Sequence, residues 1–261
     1  MEYEDLLLEK SDGIATVTLN APEKRNALTF GIRKSLSQVS VDLAADDDVR
    51  VVIVTGAGLG FCAGGDLSGG GGVEPTMQQR IEFLGPSHGT HAFFMLDKPV
   101  ISAVNGAAVG AGLSLALSTD IRIASDTARF GAVFVLRGLT PDCGITYWLP
   151  GTVGAAKAME MMFTGEIIDA AEAKRLGIVS KVVPPEELMD TARELATKIA
   201  QQAPFSVELT KRMAYRSIRD SWNRQVEVES IANQISMQTE DHREAVRAFF
   251  ERRPQPKFQG R

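Results

Sequence analysis

Short apolar runs alternating with amphipathic stretches give the chain its first outline. Ile14–Leu19 is rich in β-branched residues and reads as a strand, which Asn20-Ala21-Pro22 breaks. Residues 29–45 then repeat Ile32, Leu36, Val39 and Leu43 on one face, the spacing of an amphipathic helix. Arg50-Val51-Val52-Ile53-Val54 is almost wholly apolar, as a strand buried on both faces requires. The glycine-rich stretch 56–72 is loop for much of its length. Residues 77–96 predict a helix interrupted near Gly85-Pro86, and 99–104 another buried strand. After Gly106 a run of small residues leads into a helix ending near Thr119, and 121–124 is a short strand. Thr140-Pro141 predicts a helix start, with Thr as N-cap and Pro in the first position.

Asp169-Ala170-Ala171-Glu172 has the spacing of a capping box, Gly177 closes that helix, and 178–183 predicts the last strand before Pro184-Pro185. From Glu186 onward only helical spacing appears, in Leu188, Ala192, Leu195 and Ile199 and then over about 205–217 and 222–250. Strand and helix alternate up to Pro184 and helix alone follows, so the fold class is α/β with a helical C-terminal region. No internal repeat is visible in the residues themselves.

Composition narrows the function classes. Of 261 residues 44% are hydrophobic and 23% charged, which excludes disorder, a collagen-like fibre and a coiled coil. A chain of this length predicts one catalytic domain with a small appendage. With no apolar run of about 18 residues, no membrane span is expected. Met1-Glu2-Tyr3-Glu4-Asp5 lacks the basic start of a signal peptide, so the cytoplasm is the expected compartment. A net charge of −5 argues against a nucleic-acid partner. Cys62 and Cys143 form neither a disulfide framework nor a metal quartet.

Gly56-Ala57-Gly58-Leu59-Gly60 after an apolar strand invites a dinucleotide fingerprint, but Phe61 stands where its last glycine belongs and no acidic residue ends a second strand at the needed distance. Two other segments carry more. Gly60-Phe61-Cys62-Ala63-Gly64-Gly65-Asp66-Leu67 and the run 98–112, which ends Gly106-Ala107-Ala108-Val109-Gly110-Ala111-Gly112, each set small residues directly after a strand. Such residues let a ligand approach the backbone, and two N–H groups aimed at one point make an oxyanion hole. Tight turns and close packing would explain either segment alone; the pair in this order points to chemistry.

With those segments, Asn20-Ala21-Pro22-Glu23-Lys24-Arg25-Asn26-Ala27-Leu28, Ala128-Arg129-Phe130-Gly131, Ala170-Ala171-Glu172-Ala173, Leu176-Gly177-Ile178-Val179 and the closing Ala248-Phe249-Phe250-Glu251-Arg252-Arg253-Pro254, the chain resembles the crotonase superfamily, the enoyl-CoA hydratase/isomerase family, over essentially its whole length. The resemblance implies a crotonase-type spiral of repeated ββα units in residues 1–200, with a helical oligomerisation region in 201–261 that packs as a homotrimer or a dimer of trimers. It implies an acyl-CoA thioester substrate, with coenzyme A entering as part of that substrate and no separate cofactor or metal. The thioester oxygen would meet the N–H groups of Gly65 and Ala111, the latter where the family usually has glycine. Backbone groups around Ala63, Gly65, Asp66 and Leu67 would hold the adenine. Lys24 or Arg25, on the segment that includes Ala27, would neutralise phosphates, although plain solvent exposure explains those two equally well.

Departures from the family pattern bear on the reaction. Hydratases of the family bracket a water with two glutamates, and here those positions are Ser114 and Phe134. Asp142 is instead placed in the first turn of the expected helix amid apolar residues. A helix dipole alone can account for an aspartate there. In family members that shift double bonds, and in 4-chlorobenzoyl-CoA dehalogenases, this position is aspartate. One carboxylate suffices for a 1,3-proton shift through an enolate, so the expected activity is enoyl-CoA isomerisation with Asp142 as proton carrier. Enoyl-CoA hydration, displacement or hydrolysis with Asp142 as nucleophile, and acyl-CoA binding without turnover are the alternatives. His88 and His91 fall on the segment bordering the acyl pocket, where a dehalogenase would use one as base; surface or helix-face positions are the simpler account. Cys143 lacks an adjacent base and is expected to pack.

Overall fold

A computed structural model of the chain describes residues 3–68 and 89–260. It opens with a hairpin of β1 (Leu6–Ser11) and β2 (Ile14–Leu19). Asp12 and Gly13 form the two-residue turn with φ of 55° and 76°. Both angles are left-handed, which is what joins two right-twisted strands most tightly. β1 was not anticipated, although Asp-Gly before an apolar strand is a hairpin signal. Thr29 caps α1 (Phe30–Ala44) by accepting the Ile32 N–H at 3.1 Å, and the four apolar residues expected on its inner face are fully buried. Each contributes about 1.5–3 kcal/mol by leaving water.

Pairing of β2, β3 (Val51–Gly56), β5 (Val100–Val104), β7 (Ile121–Ser125) and β10 (Lys181–Val183) is parallel, with β1 antiparallel at one edge of this six-stranded sheet. β3 is buried along its whole length because both faces are covered. Val52 and Val54 join the α1 side of the core, while Val51 and Ile53 pack with Leu188, Ala192 and Ala196 of α7 (Leu188–Ala200).

A second sheet has the order β4 (Gly60–Cys62), β6 (Ala107–Val109), β8 (Arg129–Gly131), β9 (Ile167–Asp169), the first three parallel. Its strands follow those of the first sheet after a few residues, β3 to β4, β5 to β6, β7 to β8. Here is the repeat that the residues conceal: the backbone path recurs while the side chains differ. The fold is the crotonase-type α/β spiral. Its consequence for function is that the chain leaves β4, β6 and β8 at one edge, bringing 63–67, 110–112 and 132–134 together.

Among the described residues the remaining helices are α2 (Ala92–Met95), α3 (Ala111–Leu117), α4 (Ile145–Val153), α5 (Ala155–Thr164), α6 (Ala170–Arg175), α8 (Pro204–Met237) and α9 (Glu240–Phe250). Of the helix expected over 77–96, residues 77–88 lie outside the described segment and 92–95 are helical. Asp169 caps α6 as expected, accepting the Glu172 N–H at 2.8 Å, while the Glu172 carboxylate pairs with Arg175. The strand expected over 178–183 covers only its last three residues, because Ile178 and Val179 first turn back onto α6 through their N–H groups and the Ala173 carbonyl.

Two other boundaries move. The two helical segments expected at about 205–217 and 222–250 are divided differently: α8 runs unbroken through 218–221, and the break falls at Gln238-Thr239, where Thr239 caps α9 by accepting the His242 N–H at 3.1 Å. Tertiary anchors hold α8 against the core. Lys211 is buried in an ion pair with Asp120 at 2.8 Å, Arg219 meets Asp97 at 3.2 Å, and Trp222 is fully buried against Phe94. No described helix is long and apolar enough to cross a membrane.

Candidate active site

The site begins as backbone. Asn26 is fully buried; its Oδ1 accepts the Ala21 N–H at 3.0 Å, and its Nδ2 donates to Ala57 at 2.9 Å and Gly60 at 2.8 Å. That one amide ties the loop before α1 to both ends of the 57–60 turn. Beyond β4, Leu28 bridges the chain by donating to the Gly64 carbonyl at 2.7 Å and accepting the Asp66 N–H at 3.4 Å. The bridge uses residues 64 and 66 and leaves the Gly65 N–H outside the ladder. Gly64 has φ +96°, and a methyl group on it would come within 2.9 Å of the Val109 carbonyl oxygen and 3.5 Å of the Ala111 nitrogen. The two small-residue segments therefore touch. Ala111 opens α3, where the N–H has no acceptor in its own helix. Gly65 and Ala111 thus lie on neighbouring strand ends, the Gly65 N–H outside the ladder and the Ala111 N–H at the open end of α3.

Facing this cradle is the segment after β8. A tight helical turn, Val133–Arg137, buries Phe134, and Leu139 and Trp148 pack against the same core. Asp142 is not in the first turn of a helix as expected: α4 starts three residues later, at Ile145. Thr140 pairs its hydroxyl with that of Ser236 instead of capping, and Cys143 and Gly144 hold φ of 60° and 77°, which no right-handed helix accommodates. The Asp142 carbonyl accepts the Ile145 N–H at 3.3 Å and lies 3.4 Å from the Ser114 hydroxyl of α3. Ser114 and Asp142 are therefore brought together. Removal from water pushes the Asp142 carboxyl above the usual carboxylate range, outweighing the Cys143 hydrogen bond and the Arg33 charge that favour ionisation.

Both cysteines are buried. Burial raises the Cys62 thiol to about 12, and burial followed by the Asp142 charge pushes Cys143 well above normal, so neither supplies a thiolate. His91 is fully buried, its ring edge-on to Trp222 at 4.4 Å and within 3.3 Å of the Thr90 hydroxyl. His88 lies outside the described residues, as do residues 69–87 before it.

Lys24 and Arg25 are exposed beside the first small-residue segment: Arg25 accepts the Ala63 N–H at 3.0 Å, and Lys24 meets Asp66 at 3.6 Å. Ala27 is buried beneath them, donating to the Lys24 carbonyl at 3.1 Å, and Leu67 is half-buried. Asp66 is raised by burial, yet hydrogen bonds from Ser68 and the Lys24 charge more than offset this and hold it below its ordinary value. Among the described residues no group of three His, Cys, Asp or Glu side chains is placed to hold a metal ion.

The sequence pattern described as enoyl-CoA hydratase/isomerase matches residues 9–261. The chain belongs to the enoyl-CoA hydratase/isomerase family. It is 40% identical to a short-chain-enoyl-CoA hydratase of Clostridium acetobutylicum and 36% identical to a 1,2-epoxyphenylacetyl-CoA isomerase of Escherichia coli, each over the full length of both chains. A solved enoyl-CoA hydratase/isomerase from Pseudoalteromonas atlantica T6c superposes with a TM-score of 0.88 at 32% identity, covering 98% of this chain and 100% of that one. A monofunctional enoyl-CoA isomerase from M. smegmatis superposes at 0.70 with 39% identity, over 83% and 94%.

Two residues of this hydratase/isomerase-family site escape a reading of the sequence. Arg33 of α1 donates to the Leu28 carbonyl at 3.2 Å, and its Nη2 lies 3.4 Å from where a Gly65 side chain would begin. Glu229 of α8 accepts the Gly144 N–H at 2.5 Å and the Thr146 N–H at 3.0 Å. Arg33 carries no short-range signal. Glu229 has a faint one, since it continues the buried face of Trp222 and Val226 at helical spacing, an unusual place for a charge.

Proposed function

We propose that this enzyme isomerises a double bond in an acyl-CoA thioester by a 1,3-proton shift. The observation that carries the reading is the Asp142 carboxyl, raised by removal from water, on a turn whose backbone meets Ser114; Ser114 and Phe134 stand at the two positions where a hydrating enzyme would need glutamates. Ionised Asp142 removes a proton from the carbon next to the double bond. Negative charge moves to the thioester oxygen, which accepts hydrogen bonds from the Gly65 and Ala111 N–H groups; each such donor is typically worth about 2.7–4 kcal/mol in the transition state. The C–H bond is re-formed at the other end of the allylic system as Asp142 gives the same proton back. A raised carboxyl suits both halves, because it binds the proton long enough to return it.

On the coenzyme side, backbone groups of Ala63, Gly65, Asp66 and Leu67 are assigned to the adenine, and Lys24 and Arg25, on the loop carrying Ala27, to the phosphates. His91, Ser114 and Phe134 are assigned to the substrate pocket. Exposed Val228, Ile231 and Ile235 form a stripe on the outer face of α8, and Phe249 and Phe250 are half-exposed on α9. Their area supports a homotrimer or dimer of trimers assembled through the C-terminal helices.

Hydration is the second reading, supported by the 40% identity to a protein named a short-chain-enoyl-CoA hydratase. A panel of acyl-CoA thioesters incubated in deuterated water separates the two. Deuterium incorporation and double-bond migration without a 3-hydroxyacyl product fit isomerisation; accumulation of the hydroxyacyl product without migration overturns it.

A further inference from the structure

The turn that carries Asp142 is shaped from outside by one face of α8. Asn233 donates to the Thr140 carbonyl at 2.6 Å on one side of Asp142. Beyond it, Glu229 takes the Gly144 and Thr146 N–H groups at 2.5 and 3.0 Å and the Thr146 hydroxyl, while Gln225 donates to that hydroxyl at 2.6 Å. Between these clasps stand Asp142 and Cys143, the latter at a φ of 60° that side-chain-bearing residues seldom hold. Three donors converge on the two Glu229 oxygens, a set that matches a carboxylate.

We propose that Glu229 is a positioning residue for catalysis: from α8 it clasps the first turn of α4 and so fixes the turn that aims Asp142 at the substrate. This rests on the reading of Asp142 as proton carrier. The clasp is strongest when Glu229 is ionised, since a protonated oxygen would face an N–H donor. Among the described residues the titratable groups that bear on Glu229 are Asp142 and Cys143; its α8 neighbour Gln225 and α4 partner Thr146 are neutral. Burial raises Glu229 to about 7 against the pull of its hydrogen bonds, so the clasp loosens as pH falls through neutrality.

The test measures kcat and KM from pH 5.5 to 9 on a β,γ-unsaturated acyl-CoA that the full-length protein turns over, with amide hydrogen exchange of residues 138–147 alongside. Wild type is expected to lose kcat as pH drops through about 7. In Glu229→Gln the Glu229 step of that limb disappears and only the ionisation of Asp142 remains, kcat at pH 8 falls about 10²-fold, as misplacement near 1 Å does, and KM stays nearly unchanged. Glu229→Asp restores part of the rate with a limb. Thr146→Val keeps the carboxylate but removes one donor, and should move the limb to higher pH. A Glu229→Gln enzyme with wild-type kcat and an intact limb overturns the proposal, and so does a Thr146→Val limb that stays in place; the second variant decides alone if the first does not fold. Wild-type activity in Asp142→Asn would instead refute the Asp142 reading, and faster exchange of 138–147 in Glu229→Gln would still report the clasp.

Discussion

Replacing Asp142 by asparagine tests the proposed reaction most directly. The amide has nearly the carboxylate's shape, and the turn is held largely by backbone: Ile145 N–H and the Ser114 hydroxyl on the Asp142 carbonyl, Glu229 on Gly144 and Thr146. The residues assigned to coenzyme A lie on 24–27 and 63–67, so acyl-CoA affinity should stay within a few-fold. What disappears is the proton carrier. General acid–base groups are typically worth 10²–10⁴-fold, about 2.7–5.4 kcal/mol, and a group that both removes and returns the proton belongs at or above the top of that range. Burial of an ionised carboxyl opposes folding, so the neutral variant should unfold no earlier than wild type at pH 8. Deuterium exchange and double-bond migration followed by NMR read the rate, and calorimetric titration with a product thioester reads affinity. Ser114→Ala, which removes only a neutral hydroxyl, should cost less than tenfold. If Asp142→Asn keeps more than a tenth of the wild-type kcat, Asp142 is a structural residue and the proton carrier lies elsewhere.

Gly64→Ala should lower stability by about 2–4 kcal/mol and abolish turnover, since the methyl meets the Val109 carbonyl at 2.9 Å in a left-handed conformation; urea unfolding within about 1 kcal/mol of wild type would contradict the tight junction. Glu229 binds its proton more tightly folded than unfolded, so stability should fall as pH rises from about 4.5 to about 7, by on the order of 2–3 kcal/mol, with Asp142 acting in the same direction. A urea midpoint no higher at pH 5.5 than at 7.5 would count against it. Cys62 and Cys143 should resist a thiol reagent at pH 8 until the chain is unfolded, and rapid labelling of the native protein would refute their burial. Ile235→Asp on the outer stripe of α8 should reduce the assembly to smaller species by light scattering; an unchanged mass, or a monomeric wild type, would remove the assigned interface.

Local spacing alone determined much of this protein. Four apolar residues at helical intervals specified the buried face of α1, an unbroken apolar run specified β3 as covered on both sides, and Asp169 with Glu172 specified the start of α6. The paired small-residue segments marked where two strand ends meet closely, because close backbone approach needs small side chains wherever the chain runs. Tertiary structure decided the rest. The spiral repeat is a path of the backbone and leaves no common side-chain pattern. Thr140-Pro141 has the local form of a helix start, yet the energetically better partners for that turn come from α8, and they delay the helix to Ile145. The two continuous C-terminal helices form because Trp222 and Lys211 find partners more than 90 residues away in sequence. Glu229 belongs to the site for the same reason. Its role arises from two backbone N–H groups more than 80 residues distant, and hydrogen bonds between such remote positions are set by the packing of α8 on the spiral.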